Sequence, residues 1–323
     1  MKSIKLLNTE PKRLDVALAE ALEMSRSKAQ AIITGHRVSV DGKEANAHLL
    51  VSETSQVELA DAPVDVEKIA LSSLPPLVVL HEDADVIVVN KPAGLLVHPT
   101  TTSTEPTLLD LLRLRIPNLD TIGDDKTRSG IVHRLDKAAS GVLIVAKTNP
   151  AFMHLKKQFA DRLTEKRYTA LVMGLVTLDE GTINFPIARS KTNARMAARP
   201  NSQEGKEAIT HYDVIQRYAN ATLLDVRIET GRTHQIRAHF FALGHPVAGD
   251  ALYLQRGVKQ LKMNRLFLHA RSLTITLPNG ERQEFVAPMP PEPEKVLKSL
   301  TIPKPQTLPR SERPVQTIAQ LTQ

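Results

Sequence analysis

The sequence predicts an α+β protein of two domains, a small α/β module over about residues 11–70 and a larger mixed, mainly antiparallel domain over about 76–298. Three observations predict it. Two short helical patterns at the N-terminus lead into short β-rich runs; a proline-bearing stretch near 61–76 then reads as a linker; beyond it β-rich runs outnumber helices, at irregular spacing and with few strand–helix–strand units.

Leu14, Ala17, Leu18, Ala21 and Leu22 fall at i, i+3, i+4, i+7 and i+8, the apolar face of one helix. Ser25 reads as the N-cap of a second helix that buries Ala29, Ile32 and Ile33, with Gly35 as its stop. Val38–Val40, an Asp41-Gly42 turn and a run near Val57–Leu59 give the module its strands. In the larger domain, Val78–Leu80 and Val86–Val89 read as a hairpin, and Ile131–Leu135 and Val142–Ala146 as strands flanking a loop. Tyr168–Met173 and Thr222–Ile228 are further β-rich runs, and a last hairpin turns at Pro278-Asn279-Gly280. Helices are expected at about 107–115, capped by Thr107, and at 149–163, where Asn149 caps and Pro150 occupies the first turn. Residues 301–323 are proline-rich and read as a disordered tail.

A hydrophobic fraction of 41% over 323 residues is enough to fill a core. No apolar run approaches the ~18–20 residues that span a bilayer, and the first residues lack a signal-peptide pattern. The expectation is a soluble, cytoplasmic protein with no membrane partner. The absence of cysteine excludes disulfides, thiol catalysis and thiolate metal sites. The net charge is +7, but residues 1–70 carry 9 basic against 11 acidic side chains, so the basic excess lies in the larger domain. Within the acidic module, Met24–Val40 holds no acidic residue while Arg26, Lys28, His36 and Arg37 fall there, a one-sided basic helix suited to backbone phosphates.

Three segments of the larger domain concentrate polar side chains between apolar runs: Ile131-Val132-His133-Arg134-Leu135-Asp136-Lys137-Ala138-Ala139-Ser140-Gly141, Glu165-Lys166-Arg167-Tyr168, and Gly231-Arg232-Thr233-His234-Gln235-Ile236-Arg237. A loop held between rigid strands fixes a polar group in the way catalysis requires. Taken singly, Asp136 reads as a turn residue, Tyr168 as strand core and Arg232 as a solvated cation.

Together these segments resemble the RluA-type pseudouridine synthases, ribosomal large-subunit branch. The likeness extends to Asn90-Lys91-Pro92-Ala93-Gly94 upstream and His245-Pro246-Val247-Ala248-Gly249-Asp250 downstream, and covers about residues 11–290. The pattern Arg13-Leu14-Asp15, Ser25-Arg26-Ser27 and Val38-Ser39-Val40-Asp41-Gly42 resembles the RNA-binding module named after ribosomal protein S-four. One departure stands at Ala139, where the family often carries threonine.

The resemblance implies a bent, mainly antiparallel catalytic sheet and the isomerisation of uridine to pseudouridine in structured RNA, ribosomal RNA favoured over transfer RNA. It implies no redox cofactor, nucleotide or metal, and a monomer is expected. Asp136 would be the essential carboxylate, acting as nucleophile or as base toward the sugar. Arg232 is the candidate cation that keeps it ionised. Tyr168 would offer its ring to a flipped uracil and its phenol to the C5 proton, and Arg134 would fill the vacated stack or hold a phosphate. Arg26, Lys28 and Arg37 of the module, and Lys191 and Arg195 of an acid-free segment reaching Arg199, are candidate RNA contacts. Two readings compete: a non-catalytic RNA-binding or ribosome-assembly protein, and a metal hydrolase built on His234, His239 and His245, whose spacing matches no zinc motif. His133 and His234 read as structural or supporting residues.

Overall fold

A computed structural model describes residues 2–6, 8, 10–24, 26–34, 37–60, 76–100, 105–190, 195–200 and 204–302, with the backbone alone at Lys2, Ser27, Lys28 and Ala31. The expectations for Ser25, Gly35, His36, Lys191, most of the linker and the tail beyond Ile302 lie outside these residues. The chain divides near Leu74–Pro75 into two compact units.

The first unit contains α1 (Leu14–Ala21) and α2 (Arg26–Thr34), with strands β1 (Lys2–Ile4), β2 (Lys12–Arg13), β3 (Val38–Val40), β4 (Lys43–Glu44), β5 (Leu50–Val51) and β6 (Val57–Leu59). Strands β1-β6-β3-β4 form one sheet and β2-β5 a separate ribbon. Leu14, Leu18, Ala29, Ile33, Val38 and Val57 are the centre of its core, as the periodicity requires. Asp41 and Gly42 both have positive φ (53° and 73°), which suits the twist of a two-residue hairpin turn between β3 and β4. Asp15 is fully buried at the start of α1 and accepts bonds from Arg13, Arg26 and Gln30. Those bonds, Arg13's first, hold its carboxyl below the usual carboxylate range.

The second unit is built on one sheet in the order β11-β14-β15-β10-β16-β9-β8-β7, with β17 also paired to β16. Its strands are β7 (Val78–Glu82), β8 (Val86–Lys91), β9 (Ser140–Ala146), β10 (Glu165–Met173), β11 (Glu180–Ile183), β14 (Thr210–Arg217), β15 (Ala221–Ile228), β16 (Leu268–Thr276) and β17 (Arg282–Val286). A short hairpin, β12 (Ile187–Arg189) with β13 (Met196–Ala198), stands apart from it. Neighbours are antiparallel except β9 and β16, which run parallel. The fold is thus mixed, with antiparallel pairing dominant. Four helices accompany the sheet among the described residues: α3 (Leu108–Arg115), α4 (Asn149–Ala160), α5 (Gln235–Ala242) and α6 (Pro291–Ser299).

Local chemistry explains most of these bounds. Thr107 caps α3 in a reciprocal box with Asp110. At α4 the cap is Thr148, one residue before the expected Asn149, because the Thr148 hydroxyl reaches the Ala151 N–H, and the helix ends at Ala160. Asn149 instead accepts the Gly123 N–H. The expected strand at Ile131–Leu135 reduces to one bridge, Ile131 with Val145; the residues after it leave the ladder and form the loop that carries Asp136.

Candidate active site

The loop from Val132 to Ala139 is fixed from two sides. Lys137 O accepts the Gly94 N–H at 2.7 Å and the Lys91 ammonium at 3.3 Å. Lys91 is fully buried, and its other acceptors are Pro92 O and Leu95 O. Burial pushes it down to about 7, opposed by the nearby Asp136 charge. On the other side, Gly141 (φ 124°) lies against β16 so closely that a Cβ there would stand 2.1 Å from Ala270 O. Only glycine fits this approach. Ser140 is held by Arg265, whose Nη2 donates to its Oγ at 2.7 Å, while the hydroxyl faces His269 Nδ1 at 2.9 Å.

Asp136 is 15% exposed, and its Oδ2 accepts Nη1 of Arg237 at 3.0 Å. This corrects the expectation that Arg232 is the paired cation. Arg232 is half-buried and lines the same cavity, but its Nε donates to Glu207 O at 2.9 Å. The reason lies in α5. His234 takes a left-handed conformation (φ 57°), the helix begins at Gln235, and Arg237 falls in its buried first turn while Arg232 stays in the preceding loop. Asp136 Oδ1 has no protein partner among the described residues.

Arg237 makes a two-bond fork to the fully buried Asp250, Nε to Oδ2 at 2.7 Å and Nη2 to Oδ1 at 2.9 Å. Asp250 Oδ1 also accepts the N–H groups of Leu252 and Tyr253. Burial works against charge at both partners, yet the mutual bonds prevail, lowering the pKa of Asp250 and raising that of Arg237. The guanidinium carbon also lies 5.0 Å from the Tyr253 ring centroid.

A cavity with about 520 Å³ of empty volume, open to solvent, is lined by Arg134, Asp136, Tyr168, Arg232, His234 and Leu268 among others. Tyr168 follows a register shift in the β10–β16 pairing, of the kind that re-aims side chains. Burial, then the Asp136 charge, raises its pKa far above the ordinary phenol, so it is a neutral O–H at physiological pH. That hydroxyl faces the cavity with no hydrogen-bond partner among the described residues. Arg134 likewise has no protein partner among them. His234 Nδ1 lies 3.3 Å from the Tyr253 hydroxyl, which itself donates to Met196 O. The imidazole therefore carries its proton on Nδ1 and presents Nε2 as an acceptor. His133 has a structural role: it is stacked on Phe159, and its Nε2 accepts the Ile144 N–H.

Of the other expected RNA contacts, Arg26 is half exposed although its Nε is bound to Asp15. Arg37 reaches Ala60 O, and at Lys28 only the backbone is described. Arg195 differs from the free loop cation expected: its guanidinium lies over the rings of Phe241 (4.3 Å) and Tyr253 (5.1 Å) and donates to Leu252 O. Arg199 is paired with Glu204. His234, His239 and His245 do not assemble, and no group of three or more metal-ligating residues occurs among the described residues. Sequence reasoning missed Arg237 and Asp250 as a pair. The signal was faint, since both stood inside the quoted segments without any spacing rule to join them.

The family model described as RNA pseudouridylate synthase matches residues 85–242, and that of the S4 domain matches residues 12–57. The chain is 38% identical over 293 residues to an uncharacterized RNA pseudouridine synthase of Mycobacterium bovis, covering 89% of this chain and 94% of that one. It is 37% identical over 297 residues to the ribosomal large subunit pseudouridine synthase D of Nitrosomonas europaea, covering 89% and 84%. Among solved structures it resembles human RNA pseudouridylate synthase domain containing 1, with a TM-score of 0.56 and 27% identity over 71% of this chain and 97% of that one.

Proposed function

The chain belongs to the RNA pseudouridylate synthase family and is an RNA pseudouridine isomerase, and we propose that it acts on particular uridines of large-subunit ribosomal RNA through Asp136. The choice of RNA is supported by the relative named for the ribosomal large subunit and by the S4 domain at the N-terminus.

The reaction breaks the N1–C1′ glycosidic bond, turns the uracil, forms C5–C1′ and moves the C5 proton away as N1 regains one. It is redox-neutral and transfers no phosphoryl group. The observation that carries the reading is a carboxylate on a buried guanidinium (Asp136 Oδ2 to Arg237 Nη1, 3.0 Å) in one cavity with an unpartnered tyrosine hydroxyl. Arg237 Nη1 donates to Asp136 Oδ2 and so fixes the carboxylate and its orientation toward the sugar. Its second oxygen is available to C1′ as a nucleophile or to a ribose proton as a base.

A base inside a folded RNA cannot reach a cavity of this kind while stacked, so the nucleotide is extruded, at a cost of a few kcal/mol. Tyr168 supplies a ring face and an O–H donor, and Arg134, free at the rim, takes the vacated stack or a phosphate. Arg26, Lys28 and Arg37 of the N-terminal unit, and Lys191 of the larger one, are proposed backbone contacts. The test is release of tritium from C5-labelled uridine in unmodified large-subunit ribosomal RNA. Wild type should release it and Asp136→Asn should not; undiminished release by that variant would overturn the assignment of Asp136. Mapping pseudouridines in cellular RNA with and without the gene identifies the target.

A further inference from the structure

From Ala251 to Gly280 the sequence has no acidic residue, and the first half of that stretch, Ala251 to Arg265, forms neither helix nor strand. It is a loop with a closed neck. Phe267 N donates to Ala248 O at 2.9 Å, and Gly249 lies so near Arg265 that a Cβ would stand 2.0 Å from its carbonyl oxygen. Compact loops with joined ends and their own packed side chains are often functional.

The loop has two faces. Val258, Leu261 and Met263 pack inward against the core cluster that includes Phe267, as do Val296 and Leu297 of α6. Arg256, Lys259 and Lys262 are exposed, spaced three apart, and none has an acidic partner among the described residues. Elsewhere in this unit many surface cations are paired, as with Lys147, Lys156 and Arg167. The inner layer also holds polar atoms without partners, Gln255 Oε1 and both amide atoms of Gln260. Buried groups left unpaired are costly, and a small rearrangement on docking would satisfy them.

Both ends of the loop are tied to the reacting centre. Asp250, at one side of the neck, grips Arg237 and through it Asp136; Arg265, at the other, donates to Ser140, four residues beyond Asp136. The loop that carries the three cations is thereby anchored at both ends to residues around Asp136.

We propose that the Asp250–Arg265 loop is a phosphate clamp, in which Arg256, Lys259 and Lys262 bind the RNA backbone flanking the extruded nucleotide. The inference rests on the RNA-modifying activity proposed above and adds a surface that sets affinity and register. Cations that neutralise phosphates release counterions, so their contribution is read in the salt dependence of binding.

The experiment measures binding of the full-length chain to an unmodified large-subunit ribosomal RNA transcript from about 50 to about 300 mM salt, beside tritium release at saturating RNA. In Arg256→Ala/Lys259→Ala/Lys262→Ala, affinity should fall by about 10-fold or more and the slope of log affinity against log salt should flatten by about 2. The rate at saturation should stay near wild type. Arg256→Lys/Lys259→Arg/Lys262→Arg should bind normally, and Lys295→Ala/Lys298→Ala, on exposed α6 positions, reports the effect of charge alone. Unchanged affinity and slope in the triple alanine variant, an equal loss in the α6 control, or a fall in saturating rate without a fall in affinity each overturns the clamp. Absence of tritium release by wild type itself counts against the activity proposed above, while the binding series still decides the role of the loop.

Discussion

Asp250 holds Arg237 by two bonds, of 2.7 and 2.9 Å, and Asp136 is reached by the one remaining terminal nitrogen at 3.0 Å. The guanidinium is thus positioned by a carboxylate that has no exposure of its own and is presented to one that has some. A fork of this kind fixes the plane of the guanidinium before substrate arrives, which is the arrangement that electrostatic preorganisation requires.

Arg237 should therefore matter more than Arg232. Arg237→Ala leaves Asp136 without its cation and Asp250 buried and unpaired, so kcat should fall by about 100-fold or more, with some loss of stability. Arg237→Lys keeps the charge but cannot span both carboxylates, and it should also be severely impaired. Arg232→Ala removes a half-buried side chain bound only to a backbone carbonyl, and its loss should be smaller. Steady-state tritium release by the three purified variants ranks them; an Arg232→Ala loss larger than that of Arg237→Ala refutes the pairing.

Asp250→Asn tests positioning apart from charge supply. Asparagine accepts one bond in place of two, so Arg237 remains present but loses its fixed plane. The expected outcome is a drop in kcat of about 10-fold with KM near wild type, and restored activity in Asp250→Glu only where the longer arm keeps the fork. A raised KM with normal kcat would mean that Asp250 serves RNA binding.

Tyr168→Phe separates ring from hydroxyl. The ring still lines the cavity and RNA affinity should persist, whereas the unpartnered O–H beside Asp136 is gone. A hydroxyl that lines the open cavity and is unpaired in the free protein is available to the ligand, so kcat should fall and the binding constant should not. Full activity in this variant would reduce Tyr168 to a stacking surface.

Stability should decline on mild acidification. His133 is pushed down to about 3 and His239 to about 4, in both cases chiefly by burial. The unfolded chain takes up these protons near 6.5 and the folded one does not. Their stabilisation is therefore complete above pH 6.5 and is lost progressively as pH falls toward 4 and 3. Calorimetric unfolding should show a lower Tm at pH 5 than at pH 7; a flat Tm across that interval contradicts the buried, neutral state of these rings.

Much of the frame was legible in the chain. The apolar spacing of α1 and α2, the Thr107 cap and the Asp41-Gly42 turn are local signals, and each appears at the expected place. Helix α5 was not, because Gln235 through Phe240 are buried without interruption, and a helix covered on all sides has no amphipathic stripe to reveal it. The missing strand at Ile131–Leu135 shows the reverse error, an apolar run that keeps only the Ile131–Val145 bridge before turning into the Asp136 loop.

The sequence by itself determined the family, the two-part organisation and the residues from which a site is assembled, since short ordered segments carry that information in one dimension. Tertiary structure alone decided that Arg237 and not Arg232 meets Asp136, that Asp250 orients it, and that Arg195 lies on aromatic rings. The Arg237–Asp136 bond joins residues 101 positions apart. Which of two nearby arginines makes such a bond depends on where α5 begins and which way its first turn faces, and on the packing that buries one fully and the other only in part.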